Sequence, residues 1–235
     1  MFEGLHPDVA LVQEVNYGTN SVADLQHFAD LSFGPGFTIV REAGAQIPNA
    51  VISRYPVLTS GTWTDAQVAN RGFTWAQIDL PGPRNLWAIS VHLLTSSAVA
   101  RALESDEIMV RIGQSIPIGD WIVLGGDFNT GTRSESCVTK LSPRFATGFP
   151  YPADQLGNSD TSANRSKPHD WVLLSNELAS KEVPLRLGVT PYPHGLVLDT
   201  RVYTPLTDIA PALLNDSAAS GMQHMPVAKD VLISP

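Results

Sequence analysis

The sequence predicts one α/β domain spanning residues 1–235, with mixed β-sheet and at least two helices. Short apolar runs of β-forming type alternate with clusters of Gly, Pro and Asn along most of the chain. Two longer stretches carry apolar residues at helical spacing. With 43% hydrophobic and 16% charged residues, the chain can bury a sizeable core. No repeat, low-complexity tract or linker divides it.

The first half of the chain predicts a strand, a helix and then several strands. The run "DVALVQEV" at 8–15 is nearly continuous and apolar, which is typical of a strand buried on both faces. Residues 21–33 begin with Ser and carry apolar residues at helical spacing, which predicts a capped amphipathic helix. Further strands are predicted at 37–42, 49–57, 73–80 and 86–94.

The second half predicts one more helix, at 96–116, which ends before Pro117. A buried strand then leads into a Gly-rich turn over 120–131. The stretch 142–168 is rich in Pro, Gly, Ser, Asn and Asp, and its length predicts a functional surface loop. The remaining strands are predicted at 168–175, 195–203 and 225–233.

Composition restricts the function only partly. The net charge of −8 disfavours tight nucleic-acid binding by charge alone, but it leaves room for a nuclease that brings divalent cations to the phosphate. A single cysteine, Cys137, excludes an internal disulfide. No apolar run approaches the ~18 residues of a membrane span, and no signal peptide is recognisable, so the compartment stays undetermined.

Two strand ends carry oxygen donors. Glu14 follows an apolar run, where a carboxylate suits a hard cation such as Mg²⁺, although a solvated strand end explains it equally simply. In "LGGDFNT", Asp127 and Asn129 are two residues apart and therefore point to the same side of an extended segment. They could share a metal and orient a water. The alternative is an Asx turn.

Histidines mark two further strand ends. His92 lies inside the apolar run "ISVHLL", where a satisfied core histidine is the simple alternative. Asp170 and His224 each start a predicted strand, and an Asp–His pair fixes the imidazole tautomer and suits a general base. His169 precedes Asp170, so strand alternation predicts that it points to the opposite face, outside the site.

Taken together and in order, these segments resemble the endonuclease/exonuclease/phosphatase superfamily. The matching segments extend from residue 8 to 227: "DVALVQEVN", "NAVISRYPV", "NRGFTWAQIDL", "SVHL", "GGDFNT", "HDWVLL" and "HMPV". The superfamily includes deoxyribonuclease I, repair nucleases of the exonuclease III type, bacterial sphingomyelinases and inositol polyphosphate 5-phosphatases. The resemblance implies a four-layer α/β/β/α sandwich of two mixed sheets flanked by helices.

The resemblance also implies roles for individual residues. Glu14 would bind the divalent metal, Mg²⁺ or Mn²⁺, while Asp127 and Asn129 would orient the nucleophilic water and contact the phosphate and the metal. His92 matches a histidine placed against the scissile phosphate. His224, paired with Asp170, would act as the general base or as a transition-state donor.

Two departures from the family pattern stand out. Gln223 occupies the position before the final histidine, where the family has a metal-ligating Asp, so one oxygen donor stays but its charge is lost. The family's first strand, of the type "WNV", has no counterpart before Glu14. We therefore expect the sheet to lack a central partner and a metal ligand there.

The predicted function is a divalent-metal-dependent phosphodiester hydrolase, nuclease-like in the first instance. Arg71 in "NRGF" and Arg133 after "GGDFNT" are candidate phosphate contacts, because a guanidinium offers a bidentate fork. The substrate would be nucleic acid or another phosphodiester, with no stable protein partner and a monomeric state. The alternatives are a sphingomyelinase-like phospholipid phosphodiesterase or a phosphatase and, in another class, a non-catalytic binding or scaffold protein.

Overall fold

A computed structural model, which describes residues 1–234, shows two main β-sheets with helices on their outer faces. The helices are α1 (Phe2–Leu5), α2 (Val22–Phe33), α3 (Ala98–Ser115), α4 (Ser136–Leu141) and α5 (Asn176–Ala179). The strands are β1 (Val9–Val12), β2 (Thr38–Arg41), β3 (Ala50–Ser53), β4 (Val57–Trp63), β5 (Phe73–Ile78), β6 (Leu86–His92), β7 (Trp121–Asp127), β8 (Asp170–Leu174), β9 (Glu182–Val183), β10 (Leu185–Leu187), β11 (Thr190–Tyr192), β12 (Leu196–Val197), β13 (Val227–Ala228) and β14 (Asp230–Val231). Two 3₁₀ turns cover Leu206–Ile209 and Asp216–Ala218.

The larger sheet has five strands in the order β4-β5-β6-β7-β8. β6 and β7 are parallel, and the other neighbours are antiparallel. Parallel neighbours need a crossover connection, which α3 supplies. The parallel pair brings two carboxyl ends to one edge of the sheet.

The smaller sheet is antiparallel, in the order β1-β3-β2. Two short ladders, β12–β13 and β9–β14, hold the C-terminal segment, and β10–β11 forms a separate hairpin. Among the strands of residues 1–234, β1 pairs with β3 alone, so its other edge has no ladder partner.

Three apolar clusters separate four layers, because the main strands bury both faces at a period of two. In β7, Ile122 and Leu124 face α3 and α4, whereas Val123 faces the smaller sheet. In β3, Val51 faces the larger sheet and Ile52 faces α2. The layers are therefore α2, the smaller sheet, the larger sheet, and α3 with α4.

The predicted α/β class is confirmed, and both predicted helices are present within two residues of their predicted bounds. Ser21 caps α2 by accepting a hydrogen bond from the Asp24 N–H at 3.2 Å. The strand β4 was missed, since it is a mostly exposed edge strand of polar composition. The prediction of a strand over 195–203 is wrong beyond Val197. There the chain turns, because the Val202 N–H donates to the Asp199 carbonyl at 3.1 Å. The buried Asp199 carboxylate also accepts hydrogen bonds from Arg165 and Arg201.

A buried carboxyl pair stabilises the loop after β6. Both Glu104 carboxyl oxygens accept from the Leu94 N–H, at 3.1 and 3.0 Å. Burial first, and then the neighbouring Asp65, raise the pKa of Glu104 to about 8. A protonated Glu104 supplies the donor that the buried Asp65 Oδ2 otherwise lacks.

None of the helices in the described part of the chain is long and apolar enough to cross a bilayer.

Glu104→Gln should remove part of the pH dependence of stability. A raised carboxyl pKa means that the native state holds a proton that the unfolded state releases, so the wild type loses stability as pH rises from about 4.5 towards 8. The amide keeps the neutral geometry, so the variant should be more stable than the wild type by about 1 kcal/mol or more above pH 8. Urea unfolding near pH 4.5 and above pH 8 measures the difference in the free energy of unfolding between the two proteins. The exposed Glu3→Gln is the control, and parallel pH profiles for wild type and Glu104→Gln would contradict the prediction.

Candidate active site

Strand register places three site residues in one row. His92 at the end of β6 is opposite Asp127 at the end of β7, and Asp127 is opposite Asp170 at the start of β8. Adjacent strands lie about 4.8 Å apart, so these side chains are immediate neighbours. The row lies at the carboxyl edge of the parallel pair, where the apolar core ends.

His224 reaches this row from the C-terminal segment. The Met225 N–H donates to the Thr161 carbonyl at 2.7 Å, and Ser162 forms a bridge to His224, so the 161–162 loop holds the segment. His224 Nδ1 lies 2.9 Å from Asp170 Oδ2, and its Nε2 lies 3.7 Å from Asp127 Oδ2. The predicted Asp170–His224 pair is therefore present, and it is aimed at Asp127.

Asp127 and Asn129 form a closed hydrogen-bonded unit. The Asn129 N–H donates to Asp127 Oδ1 at 2.7 Å, and Asn129 Nδ2 donates to Asp127 Oδ2 and to the Leu93 carbonyl, both at 3.0 Å. Asn129 has a left-handed φ of 51°. Residues 127–129 therefore form an Asx turn, which was one of the two alternatives for this segment. The turn holds the Asp127 carboxylate in a fixed position at the site.

Glu14 approaches from the smaller sheet. It lies just beyond β1 with a left-handed φ of 58°, a strained conformation for a residue other than glycine. Its Oε1 lies 3.8 Å from His92 Nδ1, while His92 Nε2 lies 3.3 Å from Asp127 Oδ2. The buried imidazole is thus placed between two carboxylates. Gln13 Nε2 donates to Ser90 Oγ at 2.9 Å, which ties this segment to β6.

Burial produces two unusual protonation states. Desolvation, with Arg71 and His224 as smaller causes, lowers the pKa of His92 to about 3, so its ring is neutral. Desolvation, followed by repulsion from Asp170, raises the pKa of Asp127 to about 7. Because ionising the Asp127 carboxyl is costly here, its carboxylate form is stabilised by any positive charge placed next to it.

Whereas the pKa of His92 is lowered, the pKa of His224 is raised. Burial lowers its pKa, but the hydrogen bond and charge of Asp170, and then the charge of Asp127, outweigh burial and raise the pKa to about 9. The imidazolium is therefore the stable form at neutral pH. In that form both ring nitrogens are donors, and Nε2 faces the site.

His169 corrects the sequence analysis, which placed it on the opposite face. Its ring centroid lies 5.4 Å from that of His224, and ligand atoms of Asp127, His169 and His224 all lie within 4.8 Å of one another. Strand alternation does not extend to His169, because β8 begins only at Asp170 and His169 precedes the regular pleat. Pro168, directly before it, is the one sequence signal that the strand starts later.

Two sets of side chains around Asp127 offer ligand atoms for a divalent cation. Glu14, Asp127 and Gln223 line one cavity and offer oxygen donors, which Mg²⁺ and Mn²⁺ prefer. The neighbouring set of Asp127, His169 and His224 adds imidazole nitrogens, which suit transition metals. The raised pKa of Asp127 is the local reason to expect a cation.

Comparison with known families shows which family the chain belongs to. The model of the endonuclease/exonuclease/phosphatase family matches residues 1–192. The chain belongs to this family. Its members are phosphoester hydrolases. Comparison with curated proteins found no match.

Solved structures of low identity share the fold of this family member. An endonuclease/exonuclease/phosphatase from Bacteroides vulgatus is 18% identical, covers 97% of this chain and 85% of its own, and superposes with a TM-score of 0.65. A functionally unknown conserved protein from Enterococcus faecalis is 16% identical, covers 97% of this chain and 86% of its own, and has a TM-score of 0.66. A mannosyl-6-phosphatase from Bacteroides thetaiotaomicron is 14% identical, covers 72% of this chain and 71% of its own, and has a TM-score of 0.54. At these identities, the likeness concerns the fold alone.

The two candidate phosphate-binding arginines are held by other groups in this family member. Arg71 is buried, and its guanidinium donates to the backbone carbonyls of His92 and Leu93, at 2.5 and 3.1 Å. Arg133 stacks on the rings of Tyr151 and Trp171, at 4.4 and 4.6 Å, and donates to the Ser159 carbonyl. The role of each arginine as a phosphate contact stays a prediction. The contacts described here give each guanidinium a structural role.

Asp170→Asn should lower the pKa of His224 from about 9 towards its ordinary value near 6.5, because Asp170 supplies the hydrogen bond and the largest of the charge effects that stabilise the imidazolium. Titration of the ring protons by NMR in EDTA measures it. Asp216→Asn, remote from the site, is the matched control. A His224 that titrates identically in wild type and Asp170→Asn would contradict the pairing.

Proposed function

We propose that this protein is a divalent-metal-dependent, nuclease-like phosphodiester hydrolase. The observation that carries the proposal is the His224–Asp170 pair aimed at the buried Asp127, with Glu14 and His92 on the other side. Nucleophile positioning, a proton donor and a place for positive charge are the components that phosphate-ester hydrolysis requires.

The residues of the site then have defined tasks in the reaction. Asp127, fixed by Asn129, orients the attacking water and accepts its proton as the water oxygen bonds to phosphorus and the ester P–O bond breaks. The proton then passes to the departing oxygen. The imidazolium of His224 donates from Nε2 to a phosphoryl oxygen, which carries more charge in the transition state than in the ground state. Asp170 holds that ring through Nδ1. His224 is therefore proposed as a donor rather than as the general base.

His92 and the metal complete the proposed site. His92 is neutral, and its buried Nδ1 has no hydrogen-bond partner and lies 3.8 Å from Glu14 Oε1, so we assign His92 to holding the Glu14 side of the site. Mg²⁺ or Mn²⁺ would be held by Glu14, Asp127 and Gln223, and when bound it would supply positive charge at the phosphate. Gln223 is exposed beside His224 and contributes a neutral oxygen donor.

A phospholipid diester is the second candidate substrate. A wide, mainly apolar groove opens at Glu14, Asp127 and His224, and such a surface also suits an apolar substrate. The similarity to the mannosyl-6-phosphatase adds a phosphomonoester to the assays, although that similarity is one of fold.

His224→Ala should lower metal-dependent nicking of supercoiled plasmid by at least about 10²-fold, because the transition state loses a charged hydrogen-bond donor at the phosphoryl oxygen. The assay compares Mg²⁺ and Mn²⁺ with EDTA. The exposed His194→Ala is a matched control and should retain full activity.

The alternatives predict other outcomes of the same experiment. Folded wild-type protein that nicks nothing but hydrolyses sphingomyelin or a sugar phosphate would replace the nuclease assignment by another phosphoesterase. A protein inactive on all three substrates that binds no metal would overturn the proposal in favour of a binding or scaffold protein.

Glu14→Gln should weaken Mn²⁺ binding by at least about tenfold, because one charged ligand is lost. Calorimetric titration measures it, with the exposed Glu3→Gln as the matched control. His169→Ala distinguishes the two donor sets, and we expect it to leave Mn²⁺ affinity within about twofold. A loss in His169→Ala with none in Glu14→Gln would place the cation on the aspartate–histidine set instead.

A further inference from the structure

Arg165 lies in the loop that precedes β8, and its guanidinium is surrounded by acceptors. Its Nη2 lies 2.8 Å from Asp154 Oδ2, and its Nη1 donates to Asp199 Oδ2 at 2.8 Å. Nη2 also donates to the Asn158 carbonyl at 3.0 Å, and Nε donates to the Asp160 carbonyl at 2.7 Å. One guanidinium, on a side chain that is 10% exposed, therefore joins four groups, which its planar fork of donors allows.

The charges around Arg165 are balanced inside the fold. The side chains of Asp154 and Asp199 are 5% and 3% exposed, and a carboxylate so deeply buried needs a cationic partner. Arg165 serves both, and Arg201 adds a second cation, with its Nη2 at 2.7 Å from Asp199 Oδ2. We call these four side chains the ion cluster. Its two arginines and two aspartates leave no net charge.

The backbone of Arg165 is held in an unfavourable conformation. Its φ of 58° is left-handed, which costs free energy for a residue other than glycine. The Arg165 N–H donates to the Ser162 carbonyl at 2.7 Å, and the Arg165 carbonyl accepts from Asn158 Nδ2 at 3.0 Å. Together with the side-chain contacts, these bonds close the loop from 158 to 165 around its own guanidinium.

This loop contacts both members of the Asp170–His224 pair through Thr161. Thr161 Oγ1 accepts a hydrogen bond from the Asp170 N–H at 2.8 Å. The Thr161 carbonyl accepts from the Met225 N–H at 2.7 Å, which fixes the backbone directly after His224. One residue of the loop therefore holds the two chain segments that the pair joins.

Ala163 holds the backbone on the other side of His224. The Ala163 N–H donates to the Gln223 carbonyl at 2.8 Å. The Ala163 carbonyl accepts from Arg201 Nη1 at 3.2 Å. Because Arg201 belongs to the ion cluster, the cluster contacts the loop at this end as well.

We propose that Arg165 is a positioning residue, whose guanidinium shapes the 158–165 loop so that His224 and Asp170 meet. The two residues are 54 positions apart in the chain, and their side-chain atoms are 2.9 Å apart, so no local constraint sets this contact. A misplacement of about 1 Å in a reacting group can lower a rate about 10²-fold. The inference rests on the proposed function for its kinetic part alone.

The test needs a variant that folds. Removing Arg165 alone would leave the buried Asp154 without a cation, so Arg165→Asn is combined with Asp154→Asn. Asparagine tolerates a left-handed φ, which removes backbone strain as a cause. At position 154 it also keeps the Oδ1 acceptor, which binds the Leu156 and Asn158 N–H groups, both at 2.9 Å.

Amide hydrogen exchange in EDTA reports the position of the loop without turnover. In the double variant we expect the Met225 and Ala163 amides to exchange at least about tenfold faster, because their acceptors are no longer held in place. The amide of Leu124, inside β7, should stay within about twofold of its wild-type rate. Arg144→Asn is the matched control: it removes a partly exposed ion pair with Glu177 and should change none of the three rates.

Mg²⁺-dependent nicking of supercoiled plasmid gives the second readout. We expect the double variant to lose at least about tenfold in kcat with KM within about threefold, because the pair acts in the transition state. Arg165→Lys keeps the positive charge but lacks the planar fork, so it should fold as the wild type does and still lose at least about tenfold in kcat. Arg144→Asn should retain the wild-type kcat.

Four results would overturn the proposal. Unchanged exchange at Met225 and Ala163 would mean that Arg165 does not hold the loop, and faster exchange with unchanged kcat would mean that the loop does not control the pair. Equally faster exchange at Leu124 would make the role one of general stability, and full kcat in Arg165→Lys would make it one of charge alone. Wild-type protein that nicks no plasmid would count against the proposed function instead, and the exchange rates would still decide whether Arg165 positions the loop.

Discussion

The register of β6, β7 and β8 is the constraint on which the rest of the site depends. It places His92, Asp127 and Asp170 side by side at one sheet edge, where two parallel strands end together. A slip of one residue would turn each of these side chains to the opposite face, into an apolar cluster. The cores on both faces of the sheet therefore fix the geometry of the site as well as its stability.

The second determinant is the charge of a buried Asp127. Its carboxylate lies beside Asp170, a like charge, and desolvation adds to the cost of ionising it. The structure offsets this cost with the Asn129 amide and with the imidazolium of His224, itself held by Asp170. An aspartate that needs nearby positive charge, next to a donor that stays protonated, is suited to binding a phosphate ester and a cation together.

The smaller sheet contributes in a different way. It carries Glu14 to the edge of the site on a short strand paired on one side, tied to β6 through Gln13 and Ser90. The groove next to it leaves the apolar residues of β1 half-exposed. One strand therefore joins the edge that carries Glu14 to the groove.

The sequence by itself determined the fold class, the family and the polar residues at strand ends, because alternation and turn residues act over a few positions. Only the tertiary structure decided which of them meet. His224 and Asp170 are 54 residues apart, and their 2.9 Å contact depends on a loop bond to Thr161. The start of β8 brought in His169, and burial set the protonation of His92 and Asp127. Desolvation and register are properties of the packed chain, which local sequence patterns do not contain.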